Sequence, residues 1–311
     1  MNDRRLPMLR RFAALCAVLV LAITSLSAFI RLSGAGLGCA DWPACYGRAL
    51  REAQQGATPT AEGAQARAVA RLAHRIVAVA ALLLVITMAM ACLASQPPLW
   101  REGRSALALL GLALFLAVLG RWSSGARVPA VTLGNLLGGF AMLALCWRLL
   151  RSAGSAPLRA ARLARWARVA VVLLVLQIAL GGLVSAGYAG LSCTAWPDCG
   201  GHWTVLSWQS LNPWHEPVFD ATLPINPPGA LAHMAHRAGA VVLAVVLLPL
   251  GVAALRSGRR GAGAAVLALL AAQLGLGLAM VLTALPLALA LAHNLVAGLL
   301  LALLVGLADG D

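Results

Sequence analysis

The sequence predicts an all-α polytopic membrane protein in which eight transmembrane helices form two tandem four-helix bundles. Three observations support this fold. Of the 311 residues, 61% are hydrophobic and only 11% are charged, whereas a soluble domain carries roughly a quarter charged residues. Eight apolar segments are long enough to cross a bilayer, which requires about 20 residues. Finally, a motif with two cysteines occurs twice, once in each half of the chain.

The apolar segments define the elements in order along the chain. The mean hydropathy is +0.86, and the charged residues lie mainly in the short stretches between the segments. The predicted spans cover approximately residues 13–33, 68–94, 104–121, 128–149, 166–187, 229–254, 262–283 and 286–308. Because eight is an even number, both termini are expected on the same side of the membrane.

The arginines predict which side that is. The chain has 24 arginines and no lysine, with a formal net charge of +14. On the side of the termini lie Arg4, Arg5, Arg10, Arg11, Arg101, Arg104, Arg148, Arg151, Arg159, Arg162, Arg165, Arg168, Arg256, Arg259 and Arg260. Arginine-rich segments remain in the cytoplasm, so the termini are predicted to be cytoplasmic. Because these residues flank apolar segments and form no water-exposed basic face, they do not indicate a nucleic-acid partner.

An internal duplication predicts the division into two units. The segment GLGCADWPAC at 36–45 is echoed by GLSCTAWPDC at 190–199, each directly after a predicted span. We predict an N-terminal unit at 1–152 and a C-terminal unit at 153–311, related by an axis along the membrane normal. Two further matches are His74-Arg75 with His236-Arg237 and Asn135-Leu136 with Asn294-Leu295.

Four of the seven cysteines lie in the loops predicted to face the oxidising side. Cys39 and Cys45, and likewise Cys193 and Cys199, flank a Trp-Pro dipeptide. A disulfide within each pair is predicted from this location. Zinc binding by both pairs together is the alternative, and either pair can also be redox-active through thiol–disulfide exchange. The remaining cysteines lie within spans and are interpreted as small buried apolar residues: Cys16, Cys92 and Cys146.

Two histidines lie at matched depth inside the second unit. His236 is about seven residues inside the outer end of the sixth predicted span, and His293 is about seven inside that of the eighth. At 1.5 Å per residue, each is roughly 10 Å deep. An ionisable side chain inside a bilayer is costly without a partner, and two imidazoles at one depth suit bis-histidine ligation of a haem iron. A hydrogen-bonded core role for each histidine is the alternative.

The first unit has a different set of residues at the same positions. His74 matches His236, but the fourth span has Gly134-Asn135 where the eighth has His293-Asn294. The first unit therefore supplies one imidazole and leaves an open coordination position. Such a position suits oxygen chemistry or a transiently bound porphyrin, and a site that has lost its function is the alternative.

An arginine follows the matched histidine in each unit. Arg75 and Arg237 lie near the outer ends of their spans, where a guanidinium group can pair with a haem propionate because its geometry matches a carboxylate. The alternative is that both side chains extend to the membrane surface without binding a ligand.

Over nearly the whole chain, these residues resemble the haem A synthase family of integral membrane proteins. Members of that family have eight spans in two four-helix halves, cysteine pairs around Trp-Pro in extracytoplasmic loops, and a histidine-arginine pair opening the second span of each half. The resemblance implies that His236 and His293 bind a haem b cofactor and that His74 belongs to the site for haem O, the substrate. For Cys39 and Cys45 it implies a structural disulfide.

The resemblance also implies an activity and a setting. The expected enzyme is an oxidoreductase that converts the C8 methyl group of haem O to a formyl group, giving haem A for cytochrome oxidase, with His74 as a catalytic residue. The implied partners are haem O synthase, the cytochrome oxidase assembly machinery, membrane lipid and a membrane electron donor. The implied location is the bacterial inner membrane. A haem b electron-transfer protein or an assembly factor without synthase activity is the alternative.

The chain departs from the family pattern at two places in the first unit. Where the family has a fourth-span histidine, this chain has Gly134 and Asn135, and where the family has a glutamate three residues before the first histidine it has Arg71. In the second unit the position equivalent to Arg71 is occupied by His233, which lies one helical turn before His236. His233 is therefore a candidate for supporting the haem-ligating residue.

Overall fold

The computed structural model describes residues 5–56, 63–94, 96–123, 128–152, 161–199, 207–217 and 226–309. Within these ranges the chain forms nine α-helices, two short 3₁₀ helices and no strand. The α-helices are α1 (Arg5–Gly34), α2 (Arg48–Gln54), α3 (Ala64–Leu93), α4 (Trp100–Ser123), α5 (Pro129–Ser152), α6 (Ala161–Ala186), α7 (Ala230–Arg256), α8 (Arg260–Leu282) and α9 (Leu287–Ala308). The 3₁₀ helices are Trp208–Leu211 and Pro227–Gly229.

The eight long helices confirm the eight predicted spans, because each is long and apolar enough to cross a membrane. Helices are required there because the hydrocarbon core offers the backbone no other hydrogen-bond partner. The largest difference is at the start of α1, which begins at Arg5 and not near residue 13. Hydropathy detects only the apolar part of a helix, whereas the backbone hydrogen bonds continue through the arginine-rich turns that precede it. The short helix α2 lies in the loop after α1 and was not predicted.

The helices of each half pack around one another. In the first half, α3 and α5 each contact α1 and α4. In the second half, α6 and α8 each contact α7 and α9, so α7 and α9 lie at opposite corners of their bundle. This packing is consistent with two tandem bundles. The predicted boundary between units falls next to residues 153–160, which lie outside the described residues, and the division stays a prediction.

Apolar side chains fill the interior of each half and also cover its outside. Buried residues include Val20, Met88 and Leu143 in the first half and Leu174, Leu247 and Leu300 in the second. The outward face of α7 exposes Val241, Val245, Leu248 and Val252, spaced three or four residues apart as one side of a helix requires. This face suits contact with lipid tails, where association of helices depends on close packing and not on exclusion of water.

The two halves contact each other through α1 and α5 on one side and α6 and α9 on the other. Small residues allow close approach at this interface. Gly298 of α9 packs against Phe140 of α5, and a Cβ atom at Gly298 would lie 3.2 Å from the Phe140 ring. The interface therefore brings α9, which carries His293, directly against the first half.

Candidate functional site

His236 and His293 meet inside the second bundle. Each lies about two turns from the start of its helix, α7 or α9. The centroids of the two imidazole rings are 6.4 Å apart, and the ring planes are inclined at 69°. The structure therefore brings together the two histidines that the sequence places at one depth, while their role as iron ligands stays a prediction.

Each of these imidazoles contacts a glutamine of a neighbouring helix. Gln177 of α6 places its Nε2 3.0 Å from Nδ1 of His236 and also donates a 2.8 Å hydrogen bond to the His236 backbone carbonyl. Gln273 of α8 places its Nε2 2.9 Å from Nε2 of His293. One nitrogen of each ring is therefore held by an amide, and the second ring nitrogen of each is directed elsewhere.

Both glutamines were missed by sequence reasoning. The signal was present, because an amide inside an otherwise apolar span is costly unless it has a partner. Gln177 lies between Leu176 and Ile178, and Gln273 between Ala272 and Leu274. Neither residue titrates and neither belongs to a recognised motif, so neither is detected among the charged or metal-ligating residues of the sequence.

Disulfides close both cysteine loops, which we define as residues 35–47 and 187–199. Cys39 is bonded to Cys45 and Cys193 to Cys199, with Cα–Cα distances of 6.7 and 4.4 Å, within the range that disulfides span. No group of three or more His, Cys, Asp or Glu side chains arranged for a metal ion occurs in the described ranges. Disulfide formation is therefore favoured over the zinc alternative.

Arg237 holds the second cysteine loop against α7. Its guanidinium group donates hydrogen bonds of 2.8–2.9 Å to the backbone carbonyls of Cys193, Ala195 and Asp198, and a longer one of 3.4 Å to Pro197. The sequence did not indicate this contact. It ties the disulfide loop to the residue directly after His236, and propionate binding by Arg237 stays a prediction.

His233 also joins α7 to this loop. The His233 ring is buried, and its Nδ1 forms a 3.0 Å hydrogen bond with the carbonyl oxygen of Ala189. The sequence suggested His233 as a support for the haem-ligating histidine because it lies one turn before His236. In the structure its hydrogen bond goes to the loop, so any support that it gives His236 is through the position of α7.

The first cysteine loop is held in a different way. Arg51 of α2 donates hydrogen bonds of 2.9 Å to the carbonyl of Tyr46 and 3.2 Å to that of Ala44. Trp42 donates from its indole nitrogen to the carbonyl of Ala284, in the turn between α8 and α9, at 2.8 Å. The loop of the first half is thus anchored by its own short helix and by the second half.

Two tyrosines meet where the cysteine loops approach each other. The rings of Tyr46 and Tyr188 are 5.7 Å apart, and the Tyr46 hydroxyl accepts a 3.4 Å hydrogen bond from the Gly190 amide. Burial raises the pKa of both phenols above the ordinary value. Both side chains therefore stay neutral at physiological pH and serve as packing and hydrogen-bonding groups.

Comparison with known proteins decides the family. The family model COX15-CtaA, described as cytochrome oxidase assembly protein, matches residues 10–305. The chain belongs to this family. It is similar to a protein named Heme A synthase from Shewanella oneidensis, with 33% identity over 306 residues, covering 93% of this chain and 92% of that protein.

Other relatives in the COX15-CtaA comparison match over shorter stretches. A protein named Heme A synthase from Paracoccus denitrificans is 37% identical over 182 residues, covering 54% of this chain and 46% of the relative. One of the same name from Rhizorhabdus wittichii is 34% identical over 170 residues, covering 54% of this chain and 47% of the relative.

The predicted residues of the first half of this COX15-CtaA chain share no hydrogen bond within the described ranges. His74 is half-buried on α3, and the neighbouring Arg75 and Arg71 are both exposed. On α5, Asn135 donates to the carbonyl of Val131 one turn earlier, at 3.1 Å. Asn135 is thus occupied by its own helix, and the structure shows no contact that joins it to His74 among the hydrogen bonds of the described residues.

Gly134 is the position at which the second half has its second histidine. A Cβ atom at Gly134 would lie 2.9 Å from a methyl carbon of Leu119 on α4. A side chain at this position would therefore require the end of the Leu119 side chain to move. Leu119 is thus the neighbour of the position at which the sequence departs from the family pattern.

A cavity of about 320 Å³ opens beside the first cysteine loop. Its lining includes the Cys39–Cys45 disulfide, Ser33, Arg48 and Arg67, together with Leu287 at the start of α9. Arg48 also forms a 3.2 Å ion pair with Asp41. The cavity combines an apolar wall with two guanidinium groups, a combination suited to a carboxylate attached to an apolar body.

Proposed function

We propose that this chain is a haem A synthase that oxidises the C8 methyl group of haem O to a formyl group, giving haem A for cytochrome oxidase. The observation that carries the proposal is the His236–His293 pair inside a chain that matches, over 93% of its length, a protein named Heme A synthase. The conversion of a methyl to a formyl group removes four electrons and adds one oxygen atom, so the reaction consumes an external oxidant and a source of oxygen.

The residues of the second half fit a haem b cofactor. His236 and His293 would hold the iron of that haem between their imidazole rings, whose centroids lie 6.4 Å apart. Nδ1 of His293 is buried and has no hydrogen-bond partner within the described part of the chain, which leaves that ring with an unused nitrogen. A haem b held by these two histidines supplies one-electron redox chemistry to the protein.

The surrounding residues of the second half hold the two histidines and exclude water. His236 and His293 are fixed through Gln177 and Gln273. Arg237 and His233 fasten the second cysteine loop over the outer end of α7. The buried apolar residues of α6 to α9 close the bundle towards its other end.

The first half is proposed to hold the substrate. His74 is the histidine that the described residues of this half offer to the iron of haem O. The cavity beside the first cysteine loop, with Arg48 and Arg67, suits a carboxylate such as a propionate. Direct contacts of α1 and α5 with α9 bring this half against the helix that carries His293, which supports electron exchange between the halves.

The proposed setting follows from the family. The eight membrane-spanning helices make the chain a multi-pass membrane protein, and we place it in the bacterial inner membrane with cytoplasmic termini. Its proposed partners are haem O synthase, which supplies the substrate, the assembly machinery of cytochrome oxidase, and a membrane electron donor. Membrane lipid covers the outward apolar faces, including that of α7.

Analysis of haem products tests the proposal. The chain is expressed in cells that make haem O but lack their own haem A synthase, and the extracted haems are separated by chromatography. We expect haem A, or its hydroxylated precursor, only when the chain is present. The control is His215→Ala, which changes a histidine of the loop before α7, outside the bundle, and should leave the product unchanged. Unchanged haem O beside membrane-inserted, haem b-loaded protein would overturn the proposal.

A second candidate function is haem b electron transfer or oxidase assembly without synthase activity. The first half offers a single histidine, His74, because Gly134 stands where the second half has His293, and Asn135 bonds to its own helix; both observations favour this function. The same chromatography distinguishes the two functions, and a redox titration of the bound haem distinguishes electron transfer from haem handling.

A further inference from the structure

Two glutamines of the second half share one arrangement. In α6, Gln177 contacts His236 and Gly181 follows one turn later; in α8, Gln273 contacts His293 and Gly277 follows at the same spacing. A Cβ atom at Gly181 would lie 2.8 Å from Cε1 of the His236 ring. At Gly277 it would lie 3.3 Å from Cε1 of His293. Each glutamine thus binds a nitrogen of one imidazole, and each glycine leaves room for the ring.

The glutamine oxygens are the unusual feature. Oε1 of Gln177 and Oε1 of Gln273 are both buried, and neither has a hydrogen-bond partner among the residues that the structure describes. Leaving a buried polar atom unpaired destabilises the folded protein. A Cβ atom at Gly239 would collide with Oε1 of Gln177, so the chain also gives this oxygen its own space. An unpaired acceptor beside each histidine calls for a donor.

An iron-bound imidazole provides that donor. When a metal takes one nitrogen of a neutral imidazole, the other nitrogen carries a proton and becomes a donor. Such a proton is usually accepted by a carboxylate, a backbone carbonyl or water. A carboxamide has a donor and an acceptor at one end, and a half-turn of that group exchanges them. The exchange places no charge inside the membrane. At Gln177 it also gives up the hydrogen bond that Nε2 donates to the His236 backbone carbonyl, so that side chain must shift away from the carbonyl as it turns.

We propose that Gln177 and Gln273 are positioning residues for the two haem-ligating histidines, each accepting the ring N–H of its histidine through its buried oxygen when haem is bound. This inference rests on the proposed binding of haem b by His236 and His293. In the structure the same glutamines contact the rings through Nε2. Because the acceptor is a neutral amide, it polarises the ring less than a carboxylate does, which keeps the haem potential above the value that a carboxylate acceptor would set.

The test measures the haem, not the product. In the purified haem-loaded protein, Gln177→Leu removes the acceptor at similar size, and Gln177→Glu replaces it with a stronger one. We expect the leucine variant to raise the midpoint potential and to weaken haem retention about 10- to 100-fold. We expect the glutamate variant to lower the potential and to retain haem. Gln273→Leu and Gln273→Glu give an independent comparison. The control is Gln209→Leu, in the exposed 3₁₀ helix Trp208–Leu211.

Opposite shifts of the potential distinguish positioning from packing. A purely structural role would change how much haem is retained, but not the midpoint potential or the low-spin electron paramagnetic resonance signal of the haem that remains. An unchanged potential and an unchanged signal therefore overturn the inference. If a leucine variant fails to accumulate, the glutamate variant still decides, because an unchanged potential contradicts the proposal. A wild-type chain without low-spin haem b would contradict the proposed function itself, which is a different outcome.

Discussion

The two halves of the molecule carry the same motif and use it differently. In the second half, His236 faces His293, each ring has a glutamine partner, and the following arginine fastens the cysteine loop. In the first half, His74 is half-buried, the arginine beside it is exposed, and the cysteine loop is fastened by Arg51 instead. The duplicated framework is thus built as a closed site in one half and an open one in the other.

This difference is what the proposed division between a cofactor half and a substrate half requires. A resident cofactor benefits from a site in which every polar group is fixed, because a rigid site retains its ligand. A substrate that must enter and leave needs weaker fixation. The first half also lacks the counterpart of Gln177, which agrees with weaker fixation of a ligand. When the two cysteine motifs are superimposed, Ile23 of α1 aligns with Gln177. The amide that holds His236 has no counterpart on α1 at that position.

The largest effect is expected from removing the histidines of one half at a time. His236→Ala or His293→Ala should abolish the low-spin haem b spectrum, because each removes one of the two histidines proposed to hold the haem iron. His74→Ala should leave that spectrum intact while stopping formation of haem A. Absorption spectra of the purified variants and chromatography of extracted haems measure the two outcomes. Loss of haem b in His74→Ala at normal protein levels would contradict the proposed division.

A second haem should be gained by making the first half resemble the second. Gly134→His combined with Leu119→Ala places an imidazole on α5 and removes the side chain whose end would otherwise have to move. We expect the haem content per protein to rise from one to about two, with a second low-spin signal, because His74 then has a partner. Pyridine haemochrome analysis measures the ratio, and Leu119→Ala alone is the control, expected to keep one haem. A double variant that also keeps one haem contradicts the prediction.

The sequence could predict the long helices because bilayer thickness sets the length of a span. It could also predict that His236 and His293 meet, because their equal depth follows from counting residues from the helix ends. The glutamine partners were not predictable in the same way. Whether Gln177 faces His236 depends on how α6 is rotated about its axis against α7, and that rotation is set by packing along the whole helix, which no local pattern encodes.

The roles of the arginines also depend on tertiary structure. Arg75 and Arg237 follow matched histidines. Within the described residues, Arg237 meets converging carbonyls of the second cysteine loop, whereas Arg75 is exposed. The difference comes from the fold of residues 187–199 and from α2, a seven-residue helix that is too short to be detected as a span. Likewise, Leu119 lies beside Gly134 because of the position of α4. The sequence shows the missing histidine but not the side chain beside its place.

The two arginines give the next largest difference between the halves. Arg237→Met keeps much of the side-chain volume and removes the hydrogen bonds to four carbonyls, so we expect the free energy of unfolding in detergent to fall by about 3 kcal/mol. Arg75→Met should change it by less than about 0.5 kcal/mol because that side chain is exposed. Denaturant unfolding measures both, together with the rate at which a reductant opens Cys193–Cys199. Equal losses for the two variants would show that Arg237 does not hold its loop.

The last prediction concerns the contact between the two halves at Tyr46 and Tyr188, whose effect is confined to alkaline pH. These are the two tyrosines of the chain, and burial raises the pKa of each. Below the ordinary phenol pKa of about 10 both states of the protein keep the protons, and stability does not depend on them. Above it the unfolded chain loses protons that the folded chain retains, so stability falls by about 1.4 kcal/mol per pH unit for each phenol.

The free energy of unfolding should therefore fall with pH between pH 10 and the raised phenol pKa values. Tyr46→Phe and Tyr188→Phe should each remove about half of this slope, and the double variant should remove all of it. Unfolding in detergent as a function of pH, with tyrosinate absorbance as the probe, measures the slopes. Since Tyr46 belongs to the first cysteine loop and Tyr188 to the second, equal slopes indicate that both loops open together on unfolding. A slope that disappears with one substitution alone indicates instead that the loop carrying the other tyrosine already exposes its phenol while the bundles remain folded.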